Sequence, residues 1–99
     1  MGRRATTLQQ LCVARAGVYR GSLLAAYLVQ MAMAQRDLGR FPSNAEYAEW
    51  WAISKRGVEE QRRKLRAAGF TDDEIVQYVG QLAAVIDVRA SRSQMLKLP

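Results

Sequence analysis

The residues of this chain whose types and spacing could do chemistry are the cations that follow Ser54. Six lysines and arginines stand close together there: Lys55, Arg56, Arg62, Arg63, Lys64 and Arg66. An arginine guanidinium can donate two parallel hydrogen bonds to phosphate or to the O6 and N7 atoms of guanine, whereas a lysine ammonium acts on phosphate as a point charge. This segment therefore has the chemistry to bind a polyanion.

Catalytic and metal chemistry lack the residues that they need. The chain has no histidine and a single cysteine, Cys12. These counts exclude a Cys/His zinc site, acid–base catalysis by histidine and a disulfide within one chain. No glycine-rich phosphate loop is present either. We therefore expect a protein that is not an enzyme and that uses no cofactor or metal.

The charge of the whole chain favours the same type of ligand. Fifteen Lys and Arg against nine Asp and Glu give a formal net charge of +6, and the charge is concentrated in residues 1–40, where six arginines and one aspartate give +5. Nucleic acid is the usual partner of so basic a chain, and a charge that serves solubility alone is the alternative. Because the cysteine usage gives no sign of an oxidising compartment, we expect a cytoplasmic, nucleoid-associated protein.

The elements that must position these cations are helices, because no stretch alternates apolar and polar residues over the length of a strand. A first helix is expected to start at a cap at Thr6 or Thr7 and to end near Gly17 or Gly21. Its expected face comprises Leu8, Leu11, Cys12, Arg15, Val18 and Tyr19. A second helix is expected over residues 22–38, and its apolar run is too short and too interrupted for a membrane span.

Three further helices follow from capping signals. Ser43 or Asn44 caps the third helix, with Glu46 placed for a capping box from Ser43. Ser54 caps the fourth helix, and Thr71 begins a second capping box for the fifth. The fifth helix is expected to reach about Ile86, while residues 88–99 fit either a short sixth helix or a loose tail. The sequence therefore predicts one all-α domain over residues 1–99 with five or six helices.

The third and fourth helices are separated by a short, patterned turn. Ala48 is small enough for a second helix to cross closely, "WAIS" follows as the turn, and Ile53 is expected to be its buried residue. Ser54 caps the next helix, and Val58 is placed to lock the two helices together. The intervals between these residues are those of two short helices that pack across a tight turn.

In this pattern the segment 43–68 resembles the helix-turn-helix family of bacterial and phage DNA-binding proteins. The longer stretch "AQRDLGRFPSNAEYAEWWAIS" is similar to small regulators of actinobacteria and their mobile elements. The resemblance implies a wingless helix-turn-helix whose second helix reads double-stranded DNA. This sequence departs from the family where Ala52 replaces the usual glycine of the turn, where Gly57 stands in the second helix, and where Gln61 and Arg62 replace an aliphatic residue.

The expected DNA contacts are distributed over the fourth helix, which is the second helix of this motif, and over the N-terminus. Arg56 is the candidate for a guanine edge, and the other cations of the helix, together with Ser54, are candidates for phosphate contact or lie on the exposed face. Glu59 could accept from cytosine N4, although pairing of Glu59 with Arg63, and of Glu60 with Lys64, is favoured. Two further arginines, Arg3 and Arg4, could enter a minor groove or form a solvated tail.

The adjacent tryptophans are interpreted as support for this helix. Trp51 shares a face with Tyr47 and Ala48, so we expect it to face the core with its indole N–H satisfied at the edge. Trp50 is expected to pack on the second helix or to stay partly exposed. Stacking of Trp50 on a nucleic-acid base is the less favoured alternative.

These observations predict a sequence-specific DNA-binding protein, a small dimeric transcriptional regulator. A DNA-handling accessory in replication, segregation or packaging is one alternative, and a helical module that binds another protein is a second. The expected dimer helix spans 71–86, because one apolar stripe recurs along it at heptad-like intervals. The stripe comprises Ile75, Val79, Leu82 and Ile86.

Overall fold

The computed structural model describes the backbone of residues 8–97 and the side chains of residues 8–86. Four helices follow one another in this part of the chain, and none of its residues forms a strand. They are α1 (Leu8–Leu38), α2 (Asn44–Trp51), α3 (Lys55–Ala67) and α4 (Asp72–Lys97). The all-α class is confirmed. None of the described helices is both long and apolar enough to cross a membrane.

The described residues form four helical elements, so the expected count of five or six helices is not confirmed. The two helices expected before residue 39 lie within one element, α1, which is interrupted by a non-helical residue at Gly17, where a break was expected. Helix α4 continues without interruption to Lys97, through residues expected to hold a sixth helix or a tail. The expected cap at Thr6 or Thr7 lies outside the described residues.

Helix α1 is sharply bent at Gly17. This glycine has φ 91° and ψ 167°, far from helical values. Beyond the bend the chain turns back, and Gly21 lies so close to the backbone of Val13 that a Cβ at position 21 would come within 2.5 Å of Val13 Cα. The expected face of the first helix is therefore interrupted, and Val18 and Tyr19 are 74% and 92% exposed.

The predicted caps are confirmed at the starts of three helices. Ser43 Oγ accepts the Glu46 backbone N–H, and the Glu46 carboxylate accepts the Ser43 backbone N–H. Thr71 and Glu74 make the same reciprocal pair before α4. Ser54 caps α3, where its side chain accepts the Gly57 backbone N–H. Because all of these bonds are local, the helix boundaries follow directly from the sequence.

The core lies where α1 and α4 pack along each other and α2 and α3 close one side. Its fully or almost fully buried apolar residues come from all four helices and from Phe70 before α4. They include Leu24, Leu28 and Met31 of α1, Tyr47 and Ala48 of α2, Val58 and Leu65 of α3, and Ile75, Val79 and Ala83 of α4.

The apolar stripe that was expected to form a dimer seam faces α1 of the same chain. Ile75 and Val79 are 1% and 0% exposed, and the half-buried Leu82 and Ile86 also pack against this core. The structure therefore does not support the expectation of a homodimer through these four residues. The physical reason is that the long, bent α1 needs its own apolar partner, and the stripe of α4 meets that need within the monomer.

Candidate nucleic-acid interface

The connection between α2 and α3 is a turn of three residues, 52–54. Ala52 adopts a left-handed conformation with φ 55° and ψ 45°. The backbone N–H of Ile53 then returns to the carbonyl of Ala48 at 2.9 Å. Ser54 Oγ accepts the Gly57 N–H at 3.0 Å. The turn therefore ends α2 and starts α3 with the terminal backbone groups hydrogen-bonded.

One residue of this turn differs from its predicted role. Ile53 was expected to be buried, but it is 37% exposed. The left-handed residue before it redirects the chain, so the Ile53 side chain lies at the surface while Val58, one turn into α3, fills the core. The locking role expected for Val58 is consistent with its complete burial.

Helices α2 and α3 are also joined by a buried polar contact. The Tyr47 hydroxyl donates to Gln61 Oε1 at 2.8 Å, and it lies 3.1 Å from Oε1 of Gln30 on α1. Burial raises the pKa of Tyr47 above its ordinary value, so the hydroxyl keeps its proton. Gln61 thus holds α3 to α2 through a hydrogen bond.

Both tryptophans secure α2 against α1, as expected. The Trp51 indole donates to the backbone carbonyl of Gln30 at 2.9 Å, and the Trp50 indole donates to Asp37 Oδ2 at 2.7 Å. The two rings meet edge to face with centroids 4.9 Å apart. Both indole N–H groups are therefore hydrogen-bonded within the protein, and part of each ring surface contacts the other ring.

The outer face of α3 is exposed and strongly basic. The helix carries six cations and two acids, so its net charge is +4. Ser54, Lys55, Arg56, Glu59 and Arg63 are all exposed, in agreement with the sequence prediction. Within the described part of the chain, Lys55, Arg56 and Glu59 make no ion pair, while the Ser54 hydroxyl is engaged in the cap.

Two cations of α3 are paired at the surface. Arg63 binds Glu60 one turn earlier, and this hydrogen bond lowers the pKa of Glu60 below its ordinary value. The expected pairing was Glu59 with Arg63 and Glu60 with Lys64, so the partner of Arg63 is corrected to Glu60, at i,i+3. Arg66 Nε lies 3.0 Å from Asp72 Oδ1 at the start of α4. Exposed pairs of this kind are weak, so both arginines remain available to another anion.

Arg62 does not belong to the exposed face. It is half-buried, and its guanidinium lies 5.2 Å from the centre of the Phe41 ring. Burial lowers the pKa of Arg62, with Arg66 adding to the effect. The position of Arg62 on α3 turns its side chain toward Phe41, and its expected role as a phosphate contact stays a prediction. Arg3 and Arg4 lie outside the described residues.

The structure adds two cations that the sequence did not connect with α3. Arg15 and Arg20 of α1 line one cavity together with Arg63 and Lys64. Arg15 binds Glu74 at 3.3 Å and lies over the Phe70 ring at 4.5 Å. No local pattern could have revealed this group, because its halves are more than forty residues apart in the sequence.

No group of three side chains among the described residues is arranged to hold a metal ion. Comparisons with protein-family models, with curated proteins and with solved structures found no match to this chain. The interpretation of the basic face therefore rests on the chain's own residues.

Proposed function

We propose that this protein is a sequence-specific double-stranded DNA-binding protein, a small transcriptional regulator whose α3 enters the major groove. The observation that supports this most is the exposed, basic α3, held on α2 by a capped three-residue turn with a left-handed residue at Ala52. A short turn between two packed helices, the second of them exposed, is the arrangement by which a helix-turn-helix presents its reading helix.

The charges of α3 fit this role. Val58 and Leu65 are buried and Gln61 and Arg62 are half-buried, so the opposite, exposed face of the helix can lie toward a groove. Arg56 lies in the first turn, where a reading helix contacts base edges, and makes no ion pair in the described chain. Lys55, Lys64 and Arg66 are placed to contact phosphates along the groove, and Arg63 can join them once it leaves Glu60.

The proposal is tested by selecting bound fragments from random duplex DNA and then comparing two variants on the selected site. Arg56→Ala is expected to cost about 1–3 kcal/mol on that site and to relax the preference for one base pair. Lys64→Ala is expected to weaken specific and non-specific binding alike, and to lower the salt slope by about one unit. If both variants bind like the wild type at matched salt, α3 is not the reading helix.

The other functions make different predictions for the same experiment. A DNA-handling accessory would bind duplex DNA, but its sites would not cluster at promoters, including its own. A helical module for another protein would show no salt-dependent duplex binding.

A regulator of this kind acts in the cytoplasm on the nucleoid. With the α4 stripe used inside the monomer, we propose that one chain contacts one site, and sedimentation of the complex measures this stoichiometry.

A further inference from the structure

The cavity between α1 and α3 has a composition that no structural need of the fold explains. Its volume is about 590 Å³, within the range of small-molecule sites. Of the nine residues that line it, four are cationic and none is acidic. Leu23, Leu24 and three alanines provide the remaining, apolar surface. Four like charges around one space repel each other, so the site is improved by an anion.

The four cations differ in how firmly they are already engaged. Arg20 and Lys64 make no ion pair within the described part of the chain. Arg15 is paired with Glu74 and Arg63 with Glu60, but the side chains of both pairs are between 28% and 67% exposed. Such pairs exchange partners at little cost. Arg15 is held further, because it also donates to the Gly69 carbonyl at 3.2 Å and lies over the Phe70 ring. An incoming anion therefore meets two uncommitted cations, Arg20 and Lys64, and one that can reorient, Arg63.

We propose that this cavity binds a small organic anion that has an apolar body, with the anionic group between Arg20 and Lys64 and the body against Leu23, Ala67 and Ala68. A simple inorganic ion would use the charges and leave the apolar wall in water. A neutral apolar molecule would bury the wall and leave the cations without a partner. A carboxylate and a phosphate monoester share the required chemistry, and the experiment distinguishes them.

The consequence for DNA rests on the proposed function. Arg63 and Lys64 line the cavity and also belong to the basic face of α3. A bound anion neutralises them and occupies the donors that would otherwise contact phosphate. The ligand therefore competes with DNA and acts as an effector that releases the protein from its site.

Isothermal titration calorimetry of the full chain tests the site directly. The probes are octanoate, octyl phosphate, the neutral octanamide and inorganic phosphate, all below their aggregation concentrations. We expect saturable binding of at least one of the two octyl anions, and at least about tenfold weaker binding of octanamide and of inorganic phosphate, because each lacks one of the two recognition elements. The stronger of the two anions identifies the head group.

Two variants and their matched controls locate the site. Arg20→Gln is expected to weaken the octyl anion about tenfold, whereas Arg36→Gln removes the same charge from α1 outside the cavity and should leave the affinity unchanged. Ala67→Phe fills the cavity without changing charge and should abolish binding, whereas Ala26→Phe places the same ring on an exposed part of α1. Circular dichroism checks that every variant is folded.

The proposal is overturned if neither octyl anion binds, if octanamide or inorganic phosphate binds as tightly, or if each variant and its control lose affinity equally. The effector role has its own readout, the fluorescence anisotropy of a labelled duplex. Octyl anion should displace the wild type from DNA and should displace Arg20→Gln only at about tenfold higher concentration. If the chain binds no duplex, the proposed function fails, while calorimetry still decides the anion site.

Discussion

At the scale of single residues, the turn before α3 depends on a conformation that its residue does not favour. Ala52 has φ 55°, and among the described residues it is the one non-glycine residue with a positive φ. A left-handed backbone brings the Cβ of an L-residue close to the following carbonyl, which costs roughly 1 kcal/mol or more. The hydrogen bonds that close α2 and the cap that opens α3 hold the residue in place.

Replacing Ala52 by glycine is expected to stabilise the protein by about 1 kcal/mol, because glycine adopts this conformation without the Cβ conflict. The measurement is the urea unfolding midpoint. Ala26→Gly is the matched control, since it makes the same change at an exposed, helical position of α1 and is expected to destabilise by about 1 kcal/mol. If Ala52→Gly lowers the midpoint as Ala26→Gly does, position 52 carries no strain.

Acid is expected to weaken the contribution of Glu46 to the stability of the fold. The Arg40 guanidinium and the capping hydrogen bond of Ser43 hold the pKa of Glu46 at about 2, below its ordinary 4.5. A depressed carboxyl pKa stabilises the folded state above pH 4.5, and this stabilisation is lost as the pH falls toward 2. Glu46→Gln keeps a capping acceptor but cannot titrate, so we expect a smaller loss of stability between pH 4.5 and 2 than in the wild type. Equal losses in thermal unfolding experiments would show that Glu46 makes no such contribution.

Which site residues could be predicted depends on how far each contact reaches along the chain. Ser54 as a cap and the exposure of Lys55 and Arg56 follow from helical periodicity and local hydrogen bonding, so the sequence predicts them. Arg62 is different, because its burial depends on Phe41, which precedes α2. Ile53 is exposed because of the backbone angle of its neighbour. Tertiary contacts and backbone angles are not visible in a pattern of residue types.

At the scale of elements, the fold depends on the way α1 turns back at Gly17. The positive φ at Gly17 makes the bend, and the missing side chain of Gly21 lets the two arms approach to backbone contact. The sequence predicts a break at one of these two glycines, but it does not show that one bends and the other packs. The same bend brings Arg15 and Arg20 beside α3, so the cavity depends on it.

Gly21→Ala is expected to be strongly destabilising, because its Cβ would lie 2.5 Å from Val13 Cα and the backbone there cannot move aside cheaply. Gly80→Ala is the control within α4, where a Cβ would meet only the Gln35 side-chain amide at 3.8 Å. That substitution should stabilise the protein by roughly 0.5–1 kcal/mol through helix propensity. Urea unfolding of both variants measures the contrast, and a Gly21→Ala protein as stable as Gly80→Ala would contradict the close approach.

At the scale of the whole molecule, α1 and α4 form a base on which α2 and α3 sit. The apolar stripe of α4 packs against α1 within this base. The acids at the start of α4 bind cations of the other helices: Glu74 binds Arg15 of α1, and Asp72 binds Arg66 of α3. The net charge of α3 is nevertheless +4, and Arg20 of α1 beside it makes no ion pair within the described residues. The sequence predicts both the stripe and the charge. Whether the stripe packs within a chain or between chains depends on whether α1 offers it an apolar face, and this is visible only in the folded protein.

Packing of the α4 stripe within one chain has a consequence for how stability depends on protein concentration. If Val79 is buried against α1 of its own chain, folding does not depend on association, and the thermal unfolding midpoint should stay constant over about a hundredfold range of protein concentration. Val79→Asp should then lower the stability by at least about 3 kcal/mol at every concentration, because it buries an unpaired charge. Val76→Asp is the control on the same helix, where the side chain is 46% exposed and the change should stay within about 0.5 kcal/mol. A midpoint that rises with concentration, or a folded monomeric Val79→Asp protein, would instead place the stripe between two chains.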